Sequence, residues 1–205
     1  MILHHYWRSS CSWRVRIALE LKGLAFEGVA VDVRVPRSEA YLGLHPLGQV
    51  PALQTPDGVL TQSVAILRYL DAVAPTPPLW PSQPIASARV EELLQLVCSG
   101  IQPLQNNRVT ARVTEIGGDG RAWARAAIAD GLQAYETLCT ATPGRFSVGD
   151  AVSAADLALI PQLYNARRFG VDLSGLPTVL HIESVAQALP AFERAHPDTY
   201  EPKEQ

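Results

Sequence analysis

Cysteine is scarce: Cys11, Cys98 and Cys139 are the only three in 205 residues. The number is odd, the spacing is wide, and no two form a C-x-x-C pair. This excludes dithiol redox chemistry, argues against a disulfide framework and fits a reducing, cytoplasmic compartment. His and Cys are nowhere clustered at ligand spacing, so no metal site is expected. An excess of charge of one sign is also lacking. Seventeen Lys and Arg stand against 20 Asp and Glu, a net charge of −3, which leaves no electrostatic footprint for nucleic acid. No apolar run reaches the ~18–20 residues that a membrane-spanning helix needs. The opening Met1-Ile2-Leu3-His4-His5 lacks the charged-then-apolar pattern of a signal peptide. Neither a nucleic acid nor a membrane is therefore expected as a partner. What is present is an apolar content of 47%, enough for a real core, in a length that suits one large or two small domains.

The most informative stretch is Arg8-Ser9-Ser10-Cys11-Ser12-Trp13-Arg14-Val15-Arg16-Ile17. It follows a short apolar run, Ile2–Tyr6, that reads as a strand. Val15, Ala18 and Leu19, with Cys11 one turn earlier, have helical spacing over Cys11–Lys22, and Gly23 marks the stop. Small polar side chains thus fall where a strand hands over to a helix. The orphan N–H groups and partial positive charge of a helix N-terminus favour an anion there, and a thiolate forms more easily in such a place. One serine would suffice as an N-cap; Ser9, Ser10, Cys11 and Ser12 together exceed that need.

Glu27–Asp32 reads as a second strand, so a right-handed parallel β-α-β unit is predicted. Ser38–Leu44 is a short helix or turn. His45 to Leu53 is a loop bracketed by Pro46 and Pro51. The Pro56-Asp57-Gly58 turn then joins two short strands into a hairpin, and Gln62-Ser63 precedes a helix carrying Ile66, Leu67 and Leu70, with Ser63 as its expected cap. The order β-α-β-α-β-β-α is thioredoxin-like. In that topology Ser9–Cys11, Gln49-Val50-Pro51 and Gln62-Ser63 fall at element ends on one side. Val50 precedes a proline and is therefore extended, so it can pair with a peptide as an added strand. Ser63 at a helix N-terminus can bind a carboxylate. A thiol seat, a peptide-pairing edge and a carboxylate seat describe a site for a small, acidic, sulfur-containing peptide, and glutathione has those features.

Ala74 to Pro84 holds five prolines, which cannot continue a helix. The expected division is a first domain over 1–76, a linker over 77–83 and an all-helical domain over 84–205. Val90, Leu93, Leu94, Val97 and Ile101 form one apolar stripe, and Pro103 should break that helix. A second helix is predicted over Asp119–Ala141 with Trp123, Ala127, Leu132 and Leu138 inward, and Cys98 and Cys139 are expected to be buried. Ser153 and Asp156 have capping-box spacing at a further helix start.

Ser9 to Leu19 resembles the signature of zeta-class glutathione transferases. Gln49-Val50-Pro51 and Gln62-Ser63-Val64-Ala65-Ile66 are similar to that family's glutathione-binding segments, and Gly100 to Asn106 to its first long C-terminal helix. The resemblance runs from about residue 2 to about residue 197. It implies the glutathione transferase fold, an α/β thioredoxin-like domain followed by an all-α domain, in a homodimer, with a cis bond before Pro51. It implies glutathione-dependent cis–trans isomerisation of maleylacetoacetate or maleylpyruvate. Ser9, Ser10 and Cys11 would be catalytic, and any one of them could contact the sulfur. Gln49, Val50, Gln62, Ser63, Gln102 and Asn106 would help bind glutathione. Arg8, Arg108 and Arg168 would receive a small dicarboxylate, Arg168 matching the arginine of the family's Arg-Phe motif. An arginine at position 108 is typical of the bacterial maleylpyruvate-type members. A general transferase conjugating small electrophiles is the alternative activity.

Overall fold

The computed structural model describes residues 1–142 and 144–202. The chain divides into two compact units, Met1–Leu79 with Ala188–Gln205, and Trp80–Gln187. The division falls inside the proline-rich segment read as a linker.

In the first unit, β1 (Ile2–His5) leads into α1 (Ser10–Leu21), then β2 (Glu27–Ala30), α2 (Glu39–Leu44), β3 (Ala52–Thr55), β4 (Gly58–Thr61) and α3 (Ser63–Val73). The sheet order is β2-β1-β3-β4. β1 pairs parallel with β2, as the intervening helix requires, and antiparallel with β3, while β3 and β4 form the hairpin. Leu3, Val15, Ile17, Leu19, Leu53, Ile66 and Leu70 are fully buried and form the core. Lys22, just past α1, donates through Nζ to Asp71 Oδ1 at 2.9 Å, Ala74 O at 2.6 Å and Pro77 O at 2.9 Å. It thereby satisfies carbonyls where α3 ends, orphans that a helix C-terminus must place somewhere.

The second unit begins with α4 (Pro84–Gln95), which passes into a π-helical segment, Leu96–Ile101, and then α5 (Gln102–Gln105) and α6 (Asn107–Glu115). The predicted stripe Val90, Leu93, Leu94, Val97 and Ile101 is buried throughout. Pro103 does not itself end the helix. The wider π-turn ahead of it relieves the clash a proline ring makes with the carbonyl four residues back. The break comes at Asn106, whose ψ is 138°. α7 (Gly120–Cys139) crosses α6 closely at Gly120, where a Cβ would strike the Thr110 carbonyl. α8 (Ala154–Phe169) and α9 (Pro177–Gln187) complete the unit. Among the described residues, no helix is long and apolar enough to cross a membrane.

Three expectations need correction. The buried face of α7 is Ala124, Ile128, Leu132, Tyr135 and Cys139, while Trp123 is 46% exposed and Ala127 and Leu138 are half-buried. Trp123 faces outward because its indole N–H donates to the Leu104 carbonyl at 3.1 Å. Cys139 is buried and its thiol is pushed up to about 12, chiefly by burial, whereas Cys98 is only half-buried. The helical domain does not run to residue 205. α10 (Pro190–Arg194) and α11 (Pro197–Tyr200) belong to the first unit, because Arg194 pairs with Glu20 at 2.6 Å and Ala195 accepts from Arg16. Residues 203–205 of that expectation lie outside the described residues.

The start of α8 carries the densest polar network. Asp156 is fully buried. Its Oδ1 accepts from Ser147 N at 2.8 Å and Ser147 Oγ at 2.6 Å, and its Oδ2 from Ser153 N at 2.8 Å and Ser153 Oγ at 2.9 Å. Since Ser147 gives its single hydroxyl hydrogen to Asp156, the buried Tyr135 hydroxyl must donate to Ser147 across 2.8 Å. Replacing Asp156 by Ala strands four buried donors. We expect a loss of roughly 3–5 kcal/mol in denaturant unfolding, against about 1 kcal/mol for Ser153→Ala, which removes a single hydrogen bond to Asp156. Equal effects of the two substitutions would contradict the network.

Candidate active site

Strand register gathers the predicted polar elements of the first unit. His4 pairs with Ala52, and Ala52 with Thr61. The end of β1, the start of β3 and the end of β4 therefore share one edge of the sheet. From that edge emerge the Tyr6–Ser9 turn, the Gln49-Val50-Pro51 loop and Gln62-Ser63. The Val50–Pro51 peptide is cis. Its loop is pinned by Tyr41, whose hydroxyl donates to Gln49 O at 2.6 Å, and by Arg37, whose Nε donates to Gly48 O at 3.0 Å.

At the start of α1, Ser9 is the N-cap, and its hydroxyl accepts from Ser12 N at 3.3 Å. Ser12 is fully buried and its Oγ accepts from Tyr6 N at 3.4 Å. These two serines hold the turn. Ser10 and Cys11 are the first helical residues, with Ser10 buried and Cys11 half-buried. Arg8, half-buried, lies over the Trp7 ring at 5.1 Å.

At α3 the expected cap is corrected. The cap position is Gln62, with φ 68° and no side-chain cap bond. It is the one described residue other than glycine with positive φ, and such a backbone costs energy that the surrounding structure must supply. Ser63 is instead the first residue of α3, buried, and its Oγ accepts from Arg14 Nη1 at 3.0 Å. Rotating Ser63 into the helix takes its hydroxyl away from capping and leaves the first-turn N–H groups of α3 without a side-chain cap.

The second unit carries the remaining candidates. Gln102, half-buried, opens α5, and Asn106 caps α6, accepting from Arg108 N at 2.9 Å. Gln105 and Gln162 exchange amide hydrogen bonds at 3.0 and 2.9 Å and join this junction to α8. Arg168, near the end of α8, donates to Asn165 Oδ1 at 3.1 Å, while its carbonyl accepts from Arg121 at 2.7 Å. Arg108 and Arg168 thus stand exposed on different helices of this unit. Among the described residues, no group of three His, Cys, Asp or Glu could hold a metal.

Two buried arginines were not foreseen. Arg14 and Arg16 are 1% and 0% exposed. Arg16 donates to Trp7 O at 2.9 Å and Ala195 O at 3.1 Å, contacts His5 Nδ1 at 3.3 Å and lies over the Tyr200 ring at 4.4 Å. Their signal was the Arg14-Val15-Arg16-Ile17 run inside a helix buried on all sides.

The thioredoxin-like unit with its cis-proline loop, followed by a helical unit, defines a glutathione transferase fold. A family model, "Glutathione S-transferase, N-terminal domain", matches residues 8–73. The maleylacetoacetate isomerase of Rattus norvegicus is 46% identical over 200 residues, covering 96% of this chain and 92% of that protein. A bacterial maleyl pyruvate isomerase described as a zeta-class glutathione S-transferase superposes with a TM-score of 0.95 at 37% identity, covering 100% of both chains. The maleylacetoacetate isomerase of Anaeromyxobacter dehalogenans, with bound dicarboxyethyl glutathione and citrate, gives 0.89 at 45% identity, covering 99% of this chain and 97% of that one. The chain belongs to the maleylacetoacetate isomerase family of zeta-class glutathione transferases.

The His5–Arg16 contact makes stability pH-dependent. Arg16 can only donate, so His5 accepts at Nδ1 and is neutral. Burial first, then the charge of Arg16 and His4, pushes its pKa down from 6.5 to about 4. The unfolded chain takes up that proton near pH 6.5 and the folded chain only near 4. Stability should therefore fall by roughly 3 kcal/mol as pH drops through that window and be unaffected by this group above it. His5→Gln should flatten the slope of unfolding free energy between those pH values; an unchanged slope would contradict the assignment.

Proposed function

We propose that this protein catalyses the glutathione-dependent cis–trans isomerisation of maleylacetoacetate or maleylpyruvate, as a cytoplasmic homodimer in aromatic compound catabolism. The observation that carries the reading is the intact Ser9-Ser10-Cys11 turn at the N-terminus of α1, on the same sheet edge as the cis-proline loop and the start of α3. Similarity to isomerases over nearly the whole chain supports it.

Glutathione fits the chemistry of that edge. Its γ-glutamyl carboxylate suits the buried Ser63 hydroxyl and the first-turn N–H groups of α3. Its cysteinyl backbone suits the Val50 edge ahead of Pro51, with Gln49 and Gln62 beside these points. Gln102 and Asn106 are further proposed glutathione-binding residues. Bound glutathione supplies a thiolate whose reversible addition turns the cis double bond into a single bond that can rotate. Ser10 and Cys11 present hydroxyl and thiol donors at a helix N-terminus, which hold that sulfur in its ionised form. Ser9 accepts from Ser12 N as the cap, which fixes the turn and leaves its own hydroxyl hydrogen as a third possible donor to the sulfur. Arg8, Arg108 and Arg168 bind the substrate's carboxylates and offset the negative charge that moves onto its carbonyl oxygen.

The direct test is turnover with maleylpyruvate and maleylacetoacetate beside conjugation of a chlorodinitrobenzene-type electrophile. Isomerisation with negligible conjugation is expected; conjugation alone would make the protein a general transferase. Ser10→Ala and Cys11→Ala should each move the acid limb of the pH–rate profile upward, so that activity lost at neutral pH partly returns at higher pH. Wild-type profiles for both would remove the thiol seat from this turn. Arg108→Ala should lower kcat/KM for maleylpyruvate about ten- to hundredfold, equivalent to roughly 1.5–3 kcal/mol for a charge-assisted pair. Arg108→Lys should restore part of it, since Lys lacks the planar fork. A small and equal effect on both substrates would make Arg108 a surface residue.

A further inference from the structure

Arg14 lies one helical turn beyond Ser10 on α1, yet its guanidinium points to the start of α3. It is 1% exposed, and its Nη1 donates to Ser63 Oγ at 3.0 Å. A guanidinium keeps its charge even when buried. A positive charge therefore sits directly behind the hydroxyl that opens α3. We propose that Arg14 is the electrostatic anchor of the carboxylate seat: it positions Ser63 as a donor and supplies the charge that holds the ligand's γ-glutamyl carboxylate. This deepens the glutathione reading above and rests on it.

The hydrogen bond sets the direction of donation. Arg14 can only donate, so Ser63 Oγ receives, and the serine's own hydrogen is left to point elsewhere. Ser63 does not spend that hydroxyl on the helix, since α3 has no side-chain cap. Gln62 takes the cap position instead, at φ 68°. The strained backbone at Gln62 and the buried charge at Arg14 have the same consequence: Ser63 and the first-turn N–H groups are offered outward as donors. A carboxylate seated on Ser63 would lie close to this buried charge in a low-dielectric setting, where the attraction is strong. The same helix carries Ser10 and Cys11 at its first turn, so α1 would hold both the sulfur and the distal carboxylate of one ligand and fix the distance between them.

The test compares glutathione with 4-aminobutyryl-cysteinylglycine, which lacks only the γ-glutamyl carboxylate, by titration calorimetry on the full-length protein. Wild type should bind glutathione at least about tenfold more tightly than the analogue, the scale of one charge-assisted contact. Arg14→Gln keeps a donor for Ser63 but removes the charge. It should weaken glutathione by about tenfold and leave the analogue nearly unchanged, which collapses the preference. Arg14→Lys should keep most of the preference. Melting temperature and far-UV dichroism identify a variant that does not fold. In that event Ser63→Ala, with the Arg14 charge still present, should reduce the preference only in part. Equal weakening of both ligands by Arg14→Gln, or loss of the whole preference in Ser63→Ala, would overturn the proposal. Wild type that binds glutathione without preferring it over the analogue would overturn it as well. Failure of wild type to bind glutathione at all would instead defeat the glutathione reading.

Discussion

The first unit is organised around one buried guanidinium. Arg16 leaves the middle of α1 and reaches the Trp7 carbonyl in the turn after β1, the ring nitrogen of His5 at the end of that strand, and the Ala195 carbonyl after α10, with the Tyr200 ring over its face. Burial pushes its pKa down only to about 10, so it is charged at any physiological pH. A full charge inside a protein is costly, and removing any one of these acceptors would leave donors stranded. The turn that carries Ser9, Ser10 and Cys11 is consequently fixed from inside, by strand end, helix and C-terminal segment at once. A site that must hold an ionised sulfur needs that rigidity, because a helix N-terminus favours an anion only within its first turn.

Much of this was legible in the sequence, and the reasons are local. The strand-to-helix turn after Tyr6 showed itself because serine clusters and apolar spacing are short-range signals. The apolar stripe from Val90 to Ile101 and the Ser153–Asp156 box were readable for the same reason, since each is set by residues a turn apart. What depended on tertiary partners was not. Arginine is seldom fully buried, so residue type does not announce the burial of Arg14 and Arg16; their partners, Ser63 on α3 for Arg14 and His5, Trp7 and Ala195 for Arg16, come from elsewhere in the fold. Ser63 carried the composition of a cap, but it lies inside the first turn of α3, where its hydroxyl accepts from Arg14, and Gln62 at the cap position makes no side-chain cap bond. The face of α7 was read from Trp123, whose ring turned out to serve a hydrogen bond at the surface. The C-terminal helices gave no sign that they would pack with the first unit, since that contact spans most of the chain.

The two arginines of α1 divide their labour. Arg16 spends every bond on the protein and makes the turn rigid. Arg14 bonds the one serine that opens α3, and so ties the proposed sulfur seat to the proposed carboxylate seat through a single helix. Among the second-unit candidates, the reciprocal Gln105–Gln162 amide pair does comparable work, fixing the Asn106 cap against α8. Of the groups proposed to touch small molecules, Ser10 and Ser63 are buried, Cys11 and Arg8 are half-buried, and Arg108 and Arg168 are exposed. The side chains that hold them, Arg14, Arg16, Gln105 and Gln162, are buried. Membership of the maleylacetoacetate isomerase family states what such a frame is used for in its relatives; the frame itself follows from where these charges and amides are buried.

The central claim is that the start of α1 lowers the proton affinity of a bound thiol. The most direct measurement is a pH titration of the ultraviolet thiolate absorbance of glutathione bound to the wild-type protein, with the free tripeptide as reference. The account predicts that bound glutathione is largely ionised at neutral pH, with a midpoint at least one unit below that of the free thiol, whose ordinary value is about 8.5. A midpoint equal to or above that of free glutathione would contradict it.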